Sequence, residues 1–195
     1  MIRNRLKKIK KFFFKKTISS NNDIVPDFSN PAKDIFELRE LGKKINVYQV
    51  DVTNHCNAAC YYCPHPNQMR AKGFMTLDTF KVVLDVTKNK AFHLHHFSEP
   101  LLNKQLPDMV KLASEKGFDV GFSTNGELLT QDKLNLLADN GLKWIRFHTT
   151  AHKKDGKPFN VRLKEFKIPD SLLATEHKVG NFENDAPEKE LVSYG

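Results

Sequence analysis

Three cysteines lie close together in a single short stretch of the chain. The sequence TNHCNAACYYCP places Cys56, Cys60 and Cys63 at the spacing C-x3-C-x2-C. Thiolates on one loop at this spacing suit an iron–sulfur cubane, because each can bind one iron atom while the fourth iron stays open. A structural zinc site is the alternative, since His65 or His55 would complete a Cys3His set of four ligands. The cysteines by themselves leave both metal centres open.

The use of cysteine also bears on the compartment. All 3 cysteines of the 195-residue chain fall in this one stretch, whereas a disulfide scaffold would distribute more of them along the chain. The sequence therefore predicts a reducing, cytoplasmic setting. Apolar runs such as FFF at residues 12–14 are far short of the ~18 residues of a membrane span. We expect neither a membrane span nor a signal peptide.

Positive charge is concentrated at the N-terminus. Residues 1–16 hold eight Lys or Arg and no acid, which leaves 23 basic and 23 acidic residues in the rest of the chain. A neutral body argues against a nucleic-acid partner. The spacing of Ile2, Leu6, Ile9 and Phe13 predicts an amphipathic arm that would contact an anionic surface such as the inner face of a membrane. A solvated basic terminus is the alternative.

Strands and helices alternate through the middle of the chain. The predicted strands are Asn46–Val52, Ala91–Phe97, Asp119–Thr124 and Lys143–Thr149. The predicted helices run from about Ala32 to Leu41, Leu77 to Lys88, Leu106 to the stop at Gly117, and Thr130 to Asn140. This alternation is typical of βαβ units and predicts an α/β fold with a parallel sheet.

Chemically active residues follow the predicted strands. The cysteine stretch follows the first strand, Ser98-Glu99-Pro100 follows the second, and Ser123 to Gly126 closes the third. On the fourth strand Arg146 and His148 alternate with apolar residues, so they share a polar face. Sites of parallel α/β folds lie at the carboxyl ends of their strands. We therefore expect these residues to meet at one mouth.

The three motifs together resemble those of the radical S-adenosylmethionine (radical SAM) superfamily. The cysteine spacing, with Tyr62 before the third Cys, resembles the family signature. The segment HFSEPLLN at residues 96–103 resembles the family's glycine-glycine-glutamate-proline segment, and FSTNGELLT at residues 122–130 resembles its ribose-contacting segment. The resemblance covers about Val47 to His148 and implies a partial (β/α) barrel.

The resemblance also implies cofactors and residue roles. Cys56, Cys60 and Cys63 would ligate a [4Fe-4S] cluster, and S-adenosylmethionine (SAM) would bind beside it. The implied SAM-binding residues are Tyr62 at the adenine, Ser98 where the family's backbone approaches the cofactor, Glu99 at the methionyl ammonium, and Ser123 and Asn125 at the ribose or carboxylate. Arg146 and His148 are the candidate catalytic residues on the substrate side. The implied partners are a flavodoxin- or ferredoxin-type reductant and a peptide or sugar-type substrate.

The chain is shorter than the six-unit barrel that the resemblance implies. About 45 residues remain after Thr149, and a βαβ motif takes ~30. Of these residues, Phe159–Phe166 alternates like one strand, and Pro169–Gly195 is polar and weakly patterned. The expected organisation is an arm and linker at residues 1–30, a shortened radical SAM core at 31–150, and a polar extension at 151–195.

The length leaves several hypotheses open. A compact radical SAM enzyme, or a homodimer that shares its barrel, would cleave SAM reductively to a 5′-deoxyadenosyl radical and take hydrogen from its substrate. A relative that binds cluster and SAM without turnover would act as a partner or scaffold. A Cys3His zinc module is the third hypothesis.

Overall fold

The computed structural model describes residues 31–60, 62–148 and 163–177. The predicted amphipathic arm at residues 1–16 lies outside the described residues, as does most of the predicted C-terminal extension. Contacts divide the chain into Met1–Asp34 and Ile35–Gly195, and the fold described below is that of the second unit.

Four parallel strands form one sheet. The strands are β1 (Ala91–His93), β2 (Asp119–Thr124), β3 (Trp144–His148) and β4 (Leu173–His177), and their order in the sheet is the order in the chain. The helices are α1 (Pro31–Glu40), α2 (Leu77–Val86), α3 (Leu106–Glu115) and α4 (Gln131–Asp139). The predicted α/β class with a parallel sheet is confirmed.

Apolar packing covers one face of the sheet. Phe92 of β1, Phe122 of β2 and Phe147 of β3 are buried in one cluster with side chains of α2, α3 and α4. The helix side chains of this cluster include Phe80, Leu84, Met109, Val110, Leu134 and Leu137. Thr76 and Thr130 begin α2 and α4, because their side chains accept hydrogen bonds from the Thr79 and Lys133 backbone N–H groups. The polar side chains of the strands, such as Ser123, Arg146 and His148, therefore lie on the other face of the sheet.

The predicted first strand, Asn46–Val52, does not form a ladder. Its pairing is reduced to two isolated parallel bridges, Ile45 with Thr87 and Gln49 with His93. Between them the Asn89 side chain bonds both the N–H of Val47 (2.6 Å) and its carbonyl (2.7 Å). A side-chain amide thus replaces the neighbouring backbone at this point, which interrupts the strand.

The second strand is shorter than predicted. It ends at His93 rather than Phe97, because the His96 backbone N–H donates to a side chain, the Asp51 carboxylate, at 2.8 Å. The residues from 94 to 99 therefore form a loop at the end of β1.

The segment after residue 150 also differs from its prediction. The described part of the predicted strand Phe159–Phe166 holds a 3-10 turn, Leu163–Glu165, so a strand there is wrong for those residues. Instead β4 lies in the stretch predicted to be weakly patterned, and it pairs with β3 in parallel. Most of its side chains are exposed, as suits the outermost strand of the described sheet, so its sequence carries little hydrophobic signal.

None of the helices in the described ranges combines the length and apolarity that crossing a membrane requires.

Gly121 creates space on the polar face of the sheet. A Cβ built at Gly121 would overlap the carbonyl oxygen and the indole ring of Trp144, its partner on β3. The indole Nε1 lies 3.4 Å from His93 Nδ1, to which it donates, and the two ring centroids are 5.4 Å apart. The absence of a side chain at Gly121 therefore allows this tryptophan to lie across β2 and against β1.

We predict that Gly121→Ala lowers the free energy of unfolding by about 1–3 kcal/mol, since overpacking forces neighbouring groups to shift. Urea unfolding of the two proteins measures the change. Gly73→Ala is the matched control, because nothing lies within 4 Å of a Cβ at Gly73, and it should change stability by less than about 0.5 kcal/mol. Equal effects of the two substitutions would contradict the close packing of Trp144 on β2.

Candidate active site

A cavity of about 230 Å³ opens at the carboxyl ends of β1, β2 and β3. Its lining brings together residues from the cysteine loop, the loop after β1 and the ends of β2 and β3. The lining residues are Cys56, Ala58, Cys60, Tyr62, Cys63, Pro64, His95, His96, Phe97, Ser98, Glu99, Ser123, Thr124, Asn125 and His148. Among the described residues, Arg146 is the one predicted site residue that the lining does not include.

The three cysteines are free thiols on a half-buried loop. The Ala58 N–H donates to Cys56 Sγ at 3.4 Å, and the His65 N–H donates to Cys63 Sγ at 3.5 Å. The Cys63 N–H bonds the carbonyl of Cys60 at 3.0 Å, which tightens the turn between them. Backbone dipoles directed at sulfur favour the thiolate form that metals bind.

The cavity by itself disfavours these thiolates. Burial raises the pKa of Cys56 to about 11, and the nearby Glu99 carboxylate and the other two thiols add to the increase. Burial, followed by repulsion from Cys60, also raises the pKa of Cys63. A bound cation reverses this effect, because a thiol that coordinates a metal gives up its proton.

The three thiols line one cavity. Within residues 31–60, 62–148 and 163–177, no three His, Cys, Asp or Glu side chains are arranged to hold one metal ion. A cubane distributes its thiolate ligands over separate iron atoms. Three thiols on the wall of one cavity are compatible with that arrangement.

A second segment of chain anchors the start of the cysteine loop. Asn54 donates to the carbonyl of Ala71 at 2.7 Å and accepts from the Gly73 N–H at 2.6 Å. The Thr53 hydroxyl bonds the carbonyl of Gly73 at 2.9 Å. These contacts hold the loop in place before its first cysteine.

The two histidines of the zinc hypothesis contact other groups. His65 is buried, and its Nε2 lies 3.0 Å from the carbonyl oxygen of Asn54 and 3.1 Å from Lys72 Nζ. The His55 ring stacks on Phe74, with centroids 4.6 Å apart. Both side chains thus support the loop.

Glu99 is the most buried acidic group of the site, with 1% of its surface exposed. Its carboxylate accepts from the Thr124 hydroxyl (2.8 Å) and from the backbone N–H groups of Leu101 (3.1 Å) and Asn125 (2.9 Å). Burial raises the pKa of Glu99 to about 7 in spite of these bonds. All three donors are neutral, so the carboxylate lacks a cation among them.

Sequence reasoning missed Thr124. Strict alternation along β2 assigns this residue to the helix-facing side, yet its hydroxyl reaches Glu99 at the end of the strand. The same hydroxyl accepts from the Gly126 N–H at 3.0 Å. Gly126 has a φ of +78°, a conformation that glycine adopts readily, so the chain can turn at the point where Glu99 needs its donors.

Asn125 joins the end of β2 to the cysteine loop. Its Nδ2 donates to the Asn57 side-chain oxygen at 2.8 Å, and its own side-chain oxygen accepts from the Glu127 N–H at 3.0 Å. Asn57 in turn donates to the Glu127 carboxylate at 2.6 Å. Asn57 was also missed, although its place between two of the cysteines is a signal that could have found it.

Ser123, which precedes Thr124 on β2, is buried and lines the cavity.

Asp51 organises the loop after β1. It accepts the Ser98 hydroxyl at 3.0 Å and the His96 N–H at 2.8 Å through one oxygen, and Arg70 contacts the other oxygen at 2.6 Å. The Ser98 hydroxyl is therefore oriented by a protein carboxylate at the edge of the cavity.

Two imidazoles, those of His95 and His148, also line the cavity. Burial lowers the pKa of His95 to about 4, with His148 adding to the effect. Burial also lowers the pKa of His148 to about 4, with His177 and Arg146 adding. Both rings are therefore neutral at pH 7. Alternation along the predicted second strand places His95 on the same face as Glu99, but His95 is not among the predicted site residues.

The family model of the Radical SAM superfamily matches residues 50–168, more than half of the chain. The chain belongs to the radical SAM superfamily. The enzymes of this superfamily use a [4Fe-4S] cluster and S-adenosylmethionine, so the family and the cofactors that the sequence predicted are confirmed.

Curated relatives match part of the chain. The PqqA peptide cyclase of Bradyrhizobium diazoefficiens is 35% identical over 96 residues, which are 48% of this chain and 25% of that protein. The S-adenosyl-L-methionine-dependent 2-deoxy-scyllo-inosamine dehydrogenase of Niallia circulans is 28% identical over 120 residues, 57% of this chain and 47% of that protein. The chain thus spans between a quarter and about half of the length of these relatives.

A solved structure also resembles the chain. BtrN in complex with AdoMet and 2-DOIA aligns at a TM-score of 0.49 with 23% identity, over 69% of this chain and 58% of BtrN.

Proposed function

We propose that this chain binds a [4Fe-4S] cluster and SAM and serves a radical reaction on a peptide or sugar-type substrate. The observation that supports this most is the cavity in which the three thiols of the family signature and the buried Glu99 meet. When bound and given one electron by a reductant, the cluster and SAM would supply the radical chemistry that takes a hydrogen atom from the substrate. The chain's own residues bind, orient and shield the reactants.

Cys56, Cys60 and Cys63 hold the cluster in this proposal. Their loop is already shaped, since it is anchored at Asn54 and its sulfurs accept backbone N–H groups. The family match favours this cluster over a Cys3His zinc site, and so do the contacts that His55 and His65 make elsewhere.

Glu99 binds the methionyl ammonium of SAM. A carboxylate whose protein donors are all neutral gains most from a cation, because the charge of the cation offsets the penalty of burial. Tyr62, Ser98, Ser123 and Asn125 contact the rest of the cofactor. Asn125 Nδ2 has two hydrogens and gives one to Asn57, so the other is available for the ribose or carboxylate.

The substrate lies on the side of Arg146 and His148. A peptide is one candidate class, because a relative is named as a peptide cyclase. A sugar-type molecule is the other, because a second relative is named as a 2-deoxy-scyllo-inosamine dehydrogenase.

A flavodoxin- or ferredoxin-type protein delivers the electron in this proposal. A homodimer that shares its barrel stays a prediction.

The first test is anaerobic reconstitution with iron and sulfide, followed by dithionite reduction with SAM and chromatography for 5′-deoxyadenosine. We expect about four irons per chain and 5′-deoxyadenosine from the unchanged protein. Cys60→Ala is the control and should lose both, since two thiolates do not hold the cubane. Four irons in Cys60→Ala would contradict the ligand assignment.

The same experiment separates the alternatives. Four irons without 5′-deoxyadenosine would favour a relative that binds the cofactors without turnover. Zinc in place of iron would support the zinc module and end the radical proposal.

Substitution of Glu99 tests the ammonium contact. We predict that Glu99→Gln weakens SAM binding by about 1.5–3 kcal/mol, the range for a hydrogen bond to a charged group, and leaves the iron content unchanged. Because the pKa of Glu99 is raised to about 7, the affinity of the unchanged protein should rise from pH 6 to 7.5 as the carboxylate ionises. The variant should lack this rise. Anaerobic titration calorimetry measures both.

The matched control is Glu115→Gln, which removes an exposed carboxylate at the end of α3. It should bind SAM as the unchanged protein does. Unchanged affinity in Glu99→Gln would assign the ammonium to another group.

The basic arm is proposed to contact an anionic membrane surface. We predict that deletion of residues 1–16 abolishes co-sedimentation with vesicles that contain phosphatidylserine and leaves the iron content unchanged, since those residues hold eight basic groups and no acid. Sedimentation of the shortened protein at the original level would place the contact elsewhere.

A further inference from the structure

The polar face of the sheet carries a row of basic side chains that the proposed cofactor contacts do not use. Strand register places Arg146 of β3 beside Ser123 of β2, and His148 of β3 beside His177 of β4. Ser123 and His148 both line the cavity, whereas Ile145 and Phe147 are buried on the other face. Alternation along β3 therefore places Arg146 and His148 on the face of the sheet at which the cavity opens, with His177 of β4 beside His148.

The loop after β1 adds a further imidazole. His95 lines the cavity, and the Ser123 N–H donates to its Nδ1 at 3.5 Å. This bond leaves the ring proton of His95 on Nε2, where it can be donated to a ligand. The His148 and His177 ring centroids are 5.4 Å apart. Donors from β3, β4 and the loop after β1 thus lie on one surface.

Within the described residues, the acidic groups Asp51 and Glu99 make contacts other than with Arg146. The Asp51 carboxylate contacts Arg70 and accepts two further hydrogen bonds, and the Glu99 carboxylate accepts three hydrogen bonds and is the proposed partner of the SAM ammonium. Among the ion pairs between described residues, none includes Arg146. The guanidinium also helps to lower the pKa of His148. An anion at this surface would find a fixed positive charge beside neutral rings that can donate hydrogen bonds or take up a proton.

We propose that Arg146, His148 and His95 bind an oxyanion of the substrate, a carboxylate or a phosphate, where β3 and the loop after β1 meet the cavity. This proposal rests on the proposed function and defines the substrate of that site as an anion. A guanidinium suits either group, because its planar fork matches both carboxylate and phosphate. A cation does not fit, since Arg146 would repel it.

Titration of the cluster-containing full chain with three probes of similar size tests the proposal. The probes are phenyl phosphate, benzoate and the neutral benzyl alcohol, and binding is followed by the NMR signals of the histidine rings. We expect one or both anions to shift the His148 and His95 signals and benzyl alcohol to shift neither. The anion that binds more tightly identifies the substrate group as phosphate or carboxylate.

Substitutions of Arg146 and His148 test whether the anions bind at this surface. Arg146→Gln should weaken anion binding at least tenfold, and His148→Gln at least threefold. Lys143→Gln, which removes an exposed positive charge just before β3, should change it by less than twofold. Equal binding of benzyl alcohol, no binding of either anion, or equal losses in Arg146→Gln and Lys143→Gln would overturn the proposal.

The same samples distinguish failure of this proposal from failure of the proposed function. SAM cleavage to 5′-deoxyadenosine without anion binding would overturn the oxyanion site alone. Anion binding that depends on Arg146, in a protein that does not cleave SAM, would support the oxyanion site and overturn the radical reaction.

Discussion

Burial of the Glu99 carboxylate is the constraint on which the rest of the site depends. The side chain is held by Thr124 and Asn125 at the end of β2, while its own N–H bonds the carbonyl of His55 at 3.0 Å. One residue thus connects the cysteine loop, the loop after β1 and β2. The connection has a free-energy cost, since burial shifts the pKa of this carboxyl to about 7. A bound cation offsets that cost, so the fold and the ligand stabilise the same charge.

How much of the fold can be predicted depends on where each strand lies in the sheet. The bounds of β2, Asp119–Thr124, match the sequence prediction, because its neighbours on both sides and the helices above it bury nearly every residue. The strand predicted at Asn46–Val52 is interrupted by the side chain of Asn89, a contact between residues 42 positions apart that periodicity does not reveal. β4 is held mainly by backbone pairing with β3, and backbone pairing leaves no pattern in the side chains.

In the site, too, residues in short motifs could be predicted from the sequence, whereas contacts between distant residues could not. The cysteine spacing and the Ser98-Glu99-Pro100 segment are motifs of residues close together in the sequence. The structure places the three cysteines, Ser98 and Glu99 around one cavity, whereas Pro100 does not line it. Thr124 was hidden because the strand ends at that residue, so its side chain is not restricted to one face. The Asp51–Arg70 pair and the Asn57–Asn125 bond join residues that are 19 and 68 positions apart. Such pairs follow from the fold and are not visible in a motif.

Two parts of the cavity favour bound groups of opposite charge. On the cysteine side, burial raises the pKa values of Cys56, Cys63 and Glu99, so negative charge is unfavourable there without a cation. At the end of β3 and on the loop after β1, Arg146 and the neutral rings of His148 and His95 form a surface where added positive charge is unfavourable instead. In the proposed function, the cationic core of the cluster and the sulfonium cofactor would satisfy the first side, and an anionic substrate would satisfy the second. The two reactants would then be placed next to each other by opposite electrostatic preferences, which limits the orientations in which they can meet.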